Sequence, residues 1–328
     1  MNTNKRRYKM TLLVGSMLLL ICTVLSLRLG AVNIPFVQLI EEITHHEGII
    51  FDYRLPRLLI AICIGINMSI AGAMLQGVTR NPLAAPDVIG ITAGGGLATV
   101  ILILAVPRYS QGMLPFFAFG GSICAGLLVF LLAYKKGIRP DRLALCGVAV
   151  SSGLHALITL FIVKFAPSAA QALVWLKGSL YARTWEHVEL LWPWTVVGTL
   201  LALLSYRQLN VLLLSEETVL GLGSKINQMR LLMIVISVAL AGSAVAAAGT
   251  IGFIGLVIPH LARLLVGSDF RLTLPVSALL GAVLVILADT VGRIVMPPIE
   301  IPVGIITSLI GAPYFVFLLL KGRITGKS

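Results

Sequence analysis

The side chains that could do chemistry are few and stand apart from one another. The chain of 328 residues has 13 Asp and Glu, 5 His and 4 Cys. The adjacent His45 and His46 could begin a metal site, but no further ligand pattern accompanies them, and a solvated acidic loop is the better explanation. His155 stands alone in an apolar run, where we expect a packed polar residue. The sequence therefore predicts no catalytic centre, no metal site and no cofactor.

A phosphate-binding loop is missing as well. Such a loop has the form G-x-x-x-x-G-K-[ST] and connects a strand to a helix. The residues from Gly322 to Ser328 fall one residue short of that spacing and lack this context. Any work that ATP does for this protein must therefore be done by a partner chain.

Composition indicates a polytopic membrane protein. The chain is 58% hydrophobic and 12% charged, whereas soluble domains are about 25% charged, and its mean hydropathy is +1.00. The net charge of +12 comes from short basic islands between apolar runs, which is typical of membrane topology rather than of nucleic-acid binding. The four cysteines fall in separate apolar runs, which argues against a disulfide framework.

Ten apolar runs are candidates for membrane spans, since a span needs about 20 apolar residues. Their approximate bounds are residues 10–29, 58–78, 91–107, 113–134, 143–164, 190–206, 231–249, 252–265, 273–291 and 301–320. A single helix over residues 231–262 would be about 48 Å long against a hydrocarbon core of about 30 Å. We therefore expect a break at residues 249–252. The prediction is one all-α membrane domain over residues 1–328.

The distribution of basic residues predicts the orientation. With the N-terminus inside, 17 of the 25 Lys and Arg fall in inner segments and 8 in outer ones. Cytoplasmic segments carry the excess of Lys and Arg, so both termini are predicted to be cytoplasmic.

A polar segment between two apolar blocks, Leu209–Arg230, then lies in the cytoplasm. Ser215 followed by Glu216 and Glu217 favours a helix start, and Gly223 can turn the chain. Two short helices here would form a protruding knob by which an outside machine moves the membrane part. The alternative is an ordinary solvated loop between spans.

Small residues are frequent within the spans, for example at Gly94-Gly95-Gly96 and at Gly120-Gly121. They allow helices to approach closely in lipid, or they line a path for a bulky solute. The sequence leaves both interpretations open.

Several strings, in order along nearly the whole chain, carry a family resemblance. They are RLPR (54–57), AGAMLQGVTRNPLAAPDVIGI (71–91), WLKGSL (175–180), EETVLGLG (216–223), GTIGFIGLVIPHLAR (249–263), ADTVGR (288–293) and EIPVGIITSLIGAPYFVFLLL (300–320). The chain resembles the permease family of ABC importers for iron–siderophore complexes, haem and vitamin B12.

The resemblance implies an assembly in a bacterial plasma membrane. Permeases of this family have ten helices, the fold of the vitamin B12 importer (type II). Two of them, as a homodimer or with a sister chain, enclose a pathway in the lipid and work with a cytoplasmic ATPase dimer. An extracellular or periplasmic binding protein delivers the solute. Iron–siderophore import is the first expectation, and haem or vitamin B12 import is the alternative.

The resemblance also implies roles for particular residues. Arg54, Arg57 and Arg293 would bind carboxylates of the binding protein. The alternative is that they only extend to the membrane–water interface, as arginines near span ends often do. Asn81, Pro82 and Leu83 would lie near the cytoplasmic gate, where a plain turn is the alternative. The residues that would couple to the ATPase are Glu216, Glu217, Leu220, Gly221, Gly223 and Lys225.

Two other classes of protein remain as alternatives. An ion-coupled secondary transporter usually keeps ionisable groups at mid-membrane, and no acidic residue falls at the middle of a predicted span. A membrane-embedded enzyme needs a nucleophile, base or metal set, which the sequence does not offer.

Overall fold

A computed structural model describes residues 2–30, 34–135, 137–214, 218 and 225–320. Within these ranges the chain forms thirteen α-helices. In order they are α1 (Asn2–Arg28), α2 (Phe36–His45), α3 (Leu55–Thr79), α4 (Ile91–Ala105), α5 (Met113–Ala133), α6 (Pro140–Lys164), α7 (Ala169–Leu176), α8 (Trp185–Leu204), α9 (Tyr206–Leu212), α10 (Ile226–Ala248), α11 (Ile254–Val266), α12 (Phe270–Ile294) and α13 (Val303–Leu320). A π-helical turn, Ile50–Arg54, leads into α3.

Ten of these helices overlap the ten apolar runs that are candidate spans. In the described part of the chain, seven are long and apolar enough to cross a membrane: α1, α3 with its preceding π turn, α5, α6, α8, α10 and α12. The other three, α4, α11 and α13, are apolar but shorter. The fold is the predicted all-helical membrane architecture. The number of crossings and their orientation stay predictions.

The break expected at residues 249–252 is present. Helix α10 ends at Ala248, and Gly249 follows with φ 80°, a conformation that favours glycine because it has no Cβ. The chain re-enters a helix at Ile254 after Phe253, which has φ 68°. Two separate helices therefore replace the single helix that would be too long for the bilayer.

Helix α3 lies at the centre of the molecule and packs against α8, α10, α11 and α12. Apart from Arg57, Asn67 and Gln76, its side chains are apolar or small, which is typical of a helix buried all round. At its crossing with α12, a Cβ at Gly65 would overlap the carbonyl of Gly281, and a Cβ at Gly281 would overlap that of Gly65. These two glycines therefore set the close approach of the two backbones.

The glycines of α4 and α5 differ in their surroundings. A Cβ at Gly94 would overlap the Gly121 carbonyl, so this pair brings α4 against α5. Gly120 has nothing within 4 Å of its missing Cβ and lines an open cavity beside α4.

Candidate docking, gate and coupling sites

The structure brings the three predicted docking arginines together at one end of the bundle. Arg54 Nη1 donates to the carbonyls of Leu27 (2.7 Å) and Arg28 (2.9 Å) at the end of α1. Arg293 Nη2 donates to the carbonyl (2.9 Å) and the Oγ (2.8 Å) of Ser26. The last carbonyls of a helix lack intrahelical partners and carry partial negative charge. The end of α1 therefore holds both guanidinium groups.

Arg57 lies beside them and pairs with two carboxylates. Its Nη2 lies 2.8 Å from Asp289 Oδ1 and its Nη1 lies 2.8 Å from Glu300 Oε2. Asp289 also lies 3.3 Å from Arg293 Nε, one helical turn away on α12. The Asp289 carboxylate thus joins the start of α3 to the end of α12.

A cavity of about 330 Å³ opens beside these residues and contains a fourth arginine. Its lining residues are Gly30, Ile49, Tyr53, Arg54, Arg57, Leu180, Tyr181, Ala182, Arg183, Arg293 and Glu300. Arg183 Nη1 lies 3.1 Å from His187 Nε2, and burial lowers the pKa of Arg183 to about 10, so the side chain stays charged at neutral pH. With Asp289 included, four arginines face two carboxylates, and the pocket carries an excess of positive charge. We call it the arginine pocket.

The arginines differ from the sequence expectation in their exposure. The sequence places all three at span ends on the outer face, yet Arg54 and Arg293 are only 9% and 6% exposed. The physical reason is the set of carbonyl and carboxylate acceptors described above. Sequence reasoning missed Arg183, Asp289 and Glu300 as members of the cluster; the spacing of four between Asp289 and Arg293 on a helix was the available signal.

The predicted gate residues form a tight turn at the opposite end of α3. Asn81 Oδ1 accepts from the backbone N–H of Leu83 (2.9 Å), and the Asn81 carbonyl accepts from Ala84 (3.1 Å). Pro82 and Leu83 are half-buried. A side-chain amide that bonds two residues on is typical of a rigid turn, so the position of Leu83 is well defined.

Arg80 connects this turn to the beginning of the predicted coupling segment. Its Nε donates to the carbonyl of Leu212 (2.7 Å) and its Nη2 donates to that of Leu214. On the other side of the segment, Arg230 Nη1 donates to the carbonyl of Ile138 (2.6 Å), just before α6. The two arginines fasten the two flanks of the coupling segment to neighbouring loops.

The predicted coupling residues themselves are mostly beyond the described ranges. Glu216, Glu217, Leu220, Gly221 and Gly223 lie outside the residues that the structure describes. Lys225 is described and immediately precedes α10, where its carbonyl accepts from Gln228 (3.0 Å) and Met229 (3.1 Å).

Two titratable side chains differ from their sequence-based interpretation. His155 is exposed on α6 rather than packed, with Nδ1 2.8 Å from the Ser151 carbonyl. Asp87 lies in a loop, as expected, but the loop packs inside the protein, where Ser151 Oγ donates to the Asp87 carbonyl (3.2 Å). Burial raises the pKa of Asp87, against the opposing effect of backbone N–H groups including that of Phe253.

Among the described residues, no three His, Cys, Asp or Glu come close enough to hold a metal.

Comparison with known proteins gives consistent results over almost the whole chain. The model of the FecCD transport family matches residues 18–321. The Fe(3+)-citrate import permease YfmE of Bacillus subtilis is 44% identical over 96% of both chains. The iron(3+)-hydroxamate import permease FhuG of the same organism is 38% identical over 98% of this chain and 100% of the relative.

A permease of a second organism and a solved structure give the same result. The Fe(3+) dicitrate permease FecD of Escherichia coli is 39% identical over 92% of this chain and 95% of its own. A solved inward-facing structure of a metal-chelate type ABC transporter superposes with a TM-score of 0.85 at 33% identity, covering 96% of this chain and 99% of that one. The sequence and structure comparisons both cover nearly the whole chain and indicate the same family. This chain belongs to the FecCD transport family, the permeases of ABC importers.

Proposed function

We propose that this protein forms half of the membrane pathway of an ABC importer for an iron–siderophore complex. The similarity to iron-chelate permeases over nearly the full chain is the observation that carries the proposal. A separate ATPase dimer powers transport, a binding protein delivers the chelate, and a second permease, a copy or a sister chain, completes the pathway. ATP hydrolysis takes place on the ATPase, so this subunit is not an enzyme.

The arginine pocket supports a role in docking the binding protein. Its excess positive charge suits an acidic side chain on a partner, and an arginine fork can hold a carboxylate through two hydrogen bonds. Because Arg54, Arg57 and Arg293 already bond within the chain, they hold the pocket in shape as well as supplying charge. Arg183 adds a cation to the same pocket.

Residues 209–230 would seat in the ATPase and transmit its motion. The hydrogen bonds of Arg80 and Arg230 support this assignment, since they tie the flanks of the segment to the gate turn and to the loop before α6. Leu83, held by the Asn81 turn, would close the inner end of the pathway by apolar contact.

Reconstitution of the complex in lipid vesicles tests the proposal. The permease, its ATPase and its binding protein are assembled, and ATP-driven uptake of a panel of ⁵⁵Fe chelates is compared with uptake of haem and of labelled vitamin B12. We expect uptake of an iron chelate that needs both ATP and the binding protein. Uptake of haem or vitamin B12 alone would transfer the proposal to that substrate.

The same vesicles separate the importer from an ion-coupled transporter. Chelate uptake by an ABC importer stops when vanadate blocks the ATPase, and it continues when the proton and sodium gradients are dissipated. The opposite pattern would support the secondary transporter. That possibility merits the experiment because Asp87 is a half-buried acidic residue in a loop that packs against α6.

A further inference from the structure

A second cavity, of about 550 Å³, lies between the end of α7, the break between α10 and α11, and the first turns of α13. We call it the lysine cavity. Its volume falls within the range of about 300–1,000 Å³ of small-molecule sites. Its lining residues are Leu176, Lys177, Thr250, Gly252, Gly304, Ile305, Ser308, Leu309, Ala312 and Pro313.

The walls of this cavity suit the organic part of a bulky chelate. Most of the lining side chains are apolar or absent. The two hydroxyl groups are already engaged as donors, since Thr250 Oγ1 donates to the Leu176 carbonyl and Ser308 Oγ donates to that of Gly304 (2.7 Å). A large apolar molecule can therefore contact the wall without leaving a buried donor unpaired.

Lys177 differs from every other residue in this lining because it is charged. It is exposed, and within the described ranges no carboxylate lies within 4 Å of its ammonium group. The start of α13 also borders the cavity, and a helix N-terminus carries partial positive charge. The Asp87 carboxylate is near Gly252, where a Cβ would lie 3.5 Å from its Oδ2, but Asp87 is not part of the cavity lining.

From this distribution of charge we infer that the lysine cavity contacts the iron chelate and that Lys177 makes it favour a chelate with net negative charge. The inference rests on the proposed import of iron chelates and adds the charge class of the substrate. A lysine ammonium is a mobile point charge with three donors, so it can follow the peripheral oxygen atoms of differently shaped chelates. Its contribution is moderate because water reaches the cavity and screens the charge.

The experiment compares three iron complexes of different charge in the reconstituted importer. They are ferric dicitrate (anionic), ferrichrome (neutral) and ferrioxamine B (cationic), each labelled with ⁵⁵Fe. The variants are Lys177→Gln, Lys177→Glu and Lys177→Arg, with the same binding protein throughout. Lys164→Gln serves as the matched control, since Lys164 is at the end of α6, stacked over Phe165 and outside the cavity.

For wild type we expect kcat/KM to be highest for ferric dicitrate. Lys177→Gln should lower that value about three- to tenfold, the size expected for one charge at a partly hydrated site. Lys177→Glu should lower it further, Lys177→Arg should retain most of it, and the values for ferrichrome should change less than twofold. Lys164→Gln should behave as wild type.

Several outcomes would overturn the inference. One is a wild-type preference for neutral or cationic chelates. Another is an equal loss for all chelates in Lys177→Gln, which indicates damage to the fold, and a third is no loss for any chelate, which indicates an interfacial lysine. In these cases the proposed import of iron chelates still stands. If the wild-type complex imports none of the chelates, the proposed function fails and this inference fails with it.

Discussion

Arg57 and Asp289, 232 positions apart in the sequence, form a two-pronged ion pair at the start of α3 and the end of α12. Arg57 Nε lies 3.0 Å from both carboxylate oxygens and Nη2 lies 2.8 Å from Oδ1. The Asp289 side chain is 4% exposed and that of Arg57 13%. This geometry makes the pair a structural clamp of the arginine pocket as well as part of its charge.

Removal of Asp289 should therefore lower the free energy of unfolding more than removal of one partner of an exposed ion pair. We expect Asp289→Ala to lower the free energy of unfolding by about 3–5 kcal/mol, because it leaves the buried Arg293 without its ion-pair partner and Arg57 with Glu300 alone. Thermal unfolding in detergent, followed by tryptophan fluorescence, measures the change. Arg139→Ala is the control, since Arg139 pairs with Asp141 at an exposed site where such pairs contribute little. Equal midpoints for the two variants would contradict the clamp.

The crossing of α3 and α12 gives a second prediction, on packing. Gly281→Ala should destabilise the fold by about 1–3 kcal/mol or more, because the new methyl group meets the Gly65 backbone, which cannot rotate away. Gly120→Ala is matched in chemistry and lies in a helix with free space around it, so its stability should stay near that of wild type. Yield and melting temperature of the two purified variants, measured side by side, check the difference.

Residues that act within one span could be anticipated from the sequence, whereas residues that act through long-range contacts could not. The break at Gly249 followed from the length of a continuous apolar run against the thickness of a bilayer. The partners of Arg57 did not follow, because Asp289 and Glu300 are distant in sequence and any of the 13 acidic residues was a candidate. The same limit applies to Asp87, where a loop position gave no indication that the loop packs inside the protein.

Docking of the binding protein is best tested at Arg183, since its contact with His187 involves no carboxylate, whereas changes at Arg57 or Arg293 also break ion pairs with Asp289. We expect Arg183→Glu to weaken binding-protein affinity about three- to tenfold at low salt, through loss of electrostatic complementarity. Added salt should reduce the difference from wild type because it screens the same charges. Surface plasmon resonance on the nanodisc-embedded complex measures both effects, with Arg108→Gln as the control for an exposed arginine outside the pocket. An unchanged affinity at every salt concentration would remove Arg183 from the docking site.

The gate proposal predicts a leak. Leu83→Gly removes the apolar side chain that the Asn81 turn holds at the inner end of α3, so solute should escape from loaded vesicles, or basal ATP hydrolysis should rise, about two- to fivefold in either case. Leu83→Met keeps the apolar volume and should behave as wild type. If Leu83→Gly vesicles retain solute and hydrolyse ATP at the wild-type rate, the gate lies elsewhere.

Arg80 should govern how much transport each ATP yields. Its guanidinium reaches two carbonyls at the end of α9, those of Leu212 and Leu214, while its own backbone leads directly into Asn81. Arg80→Gln should leave ATP hydrolysis within about twofold of wild type and lower chelate imported per ATP about fivefold, since the motion of the coupling segment no longer reaches the gate turn.

Two comparison variants make the Arg80 test specific. Arg80→Lys should restore part of the chelate imported per ATP, because an ammonium keeps the charge but lacks the planar guanidinium that donates to two carbonyls. Arg207 lies on α9 itself but bonds to the neighbouring Tyr206 hydroxyl (3.0 Å), so Arg207→Gln should keep the wild-type amount of chelate imported per ATP. Parallel loss of hydrolysis and uptake in Arg80→Gln would indicate a general defect in assembly. An unchanged amount of chelate imported per ATP would show that the Arg80 hydrogen bonds do not transmit motion.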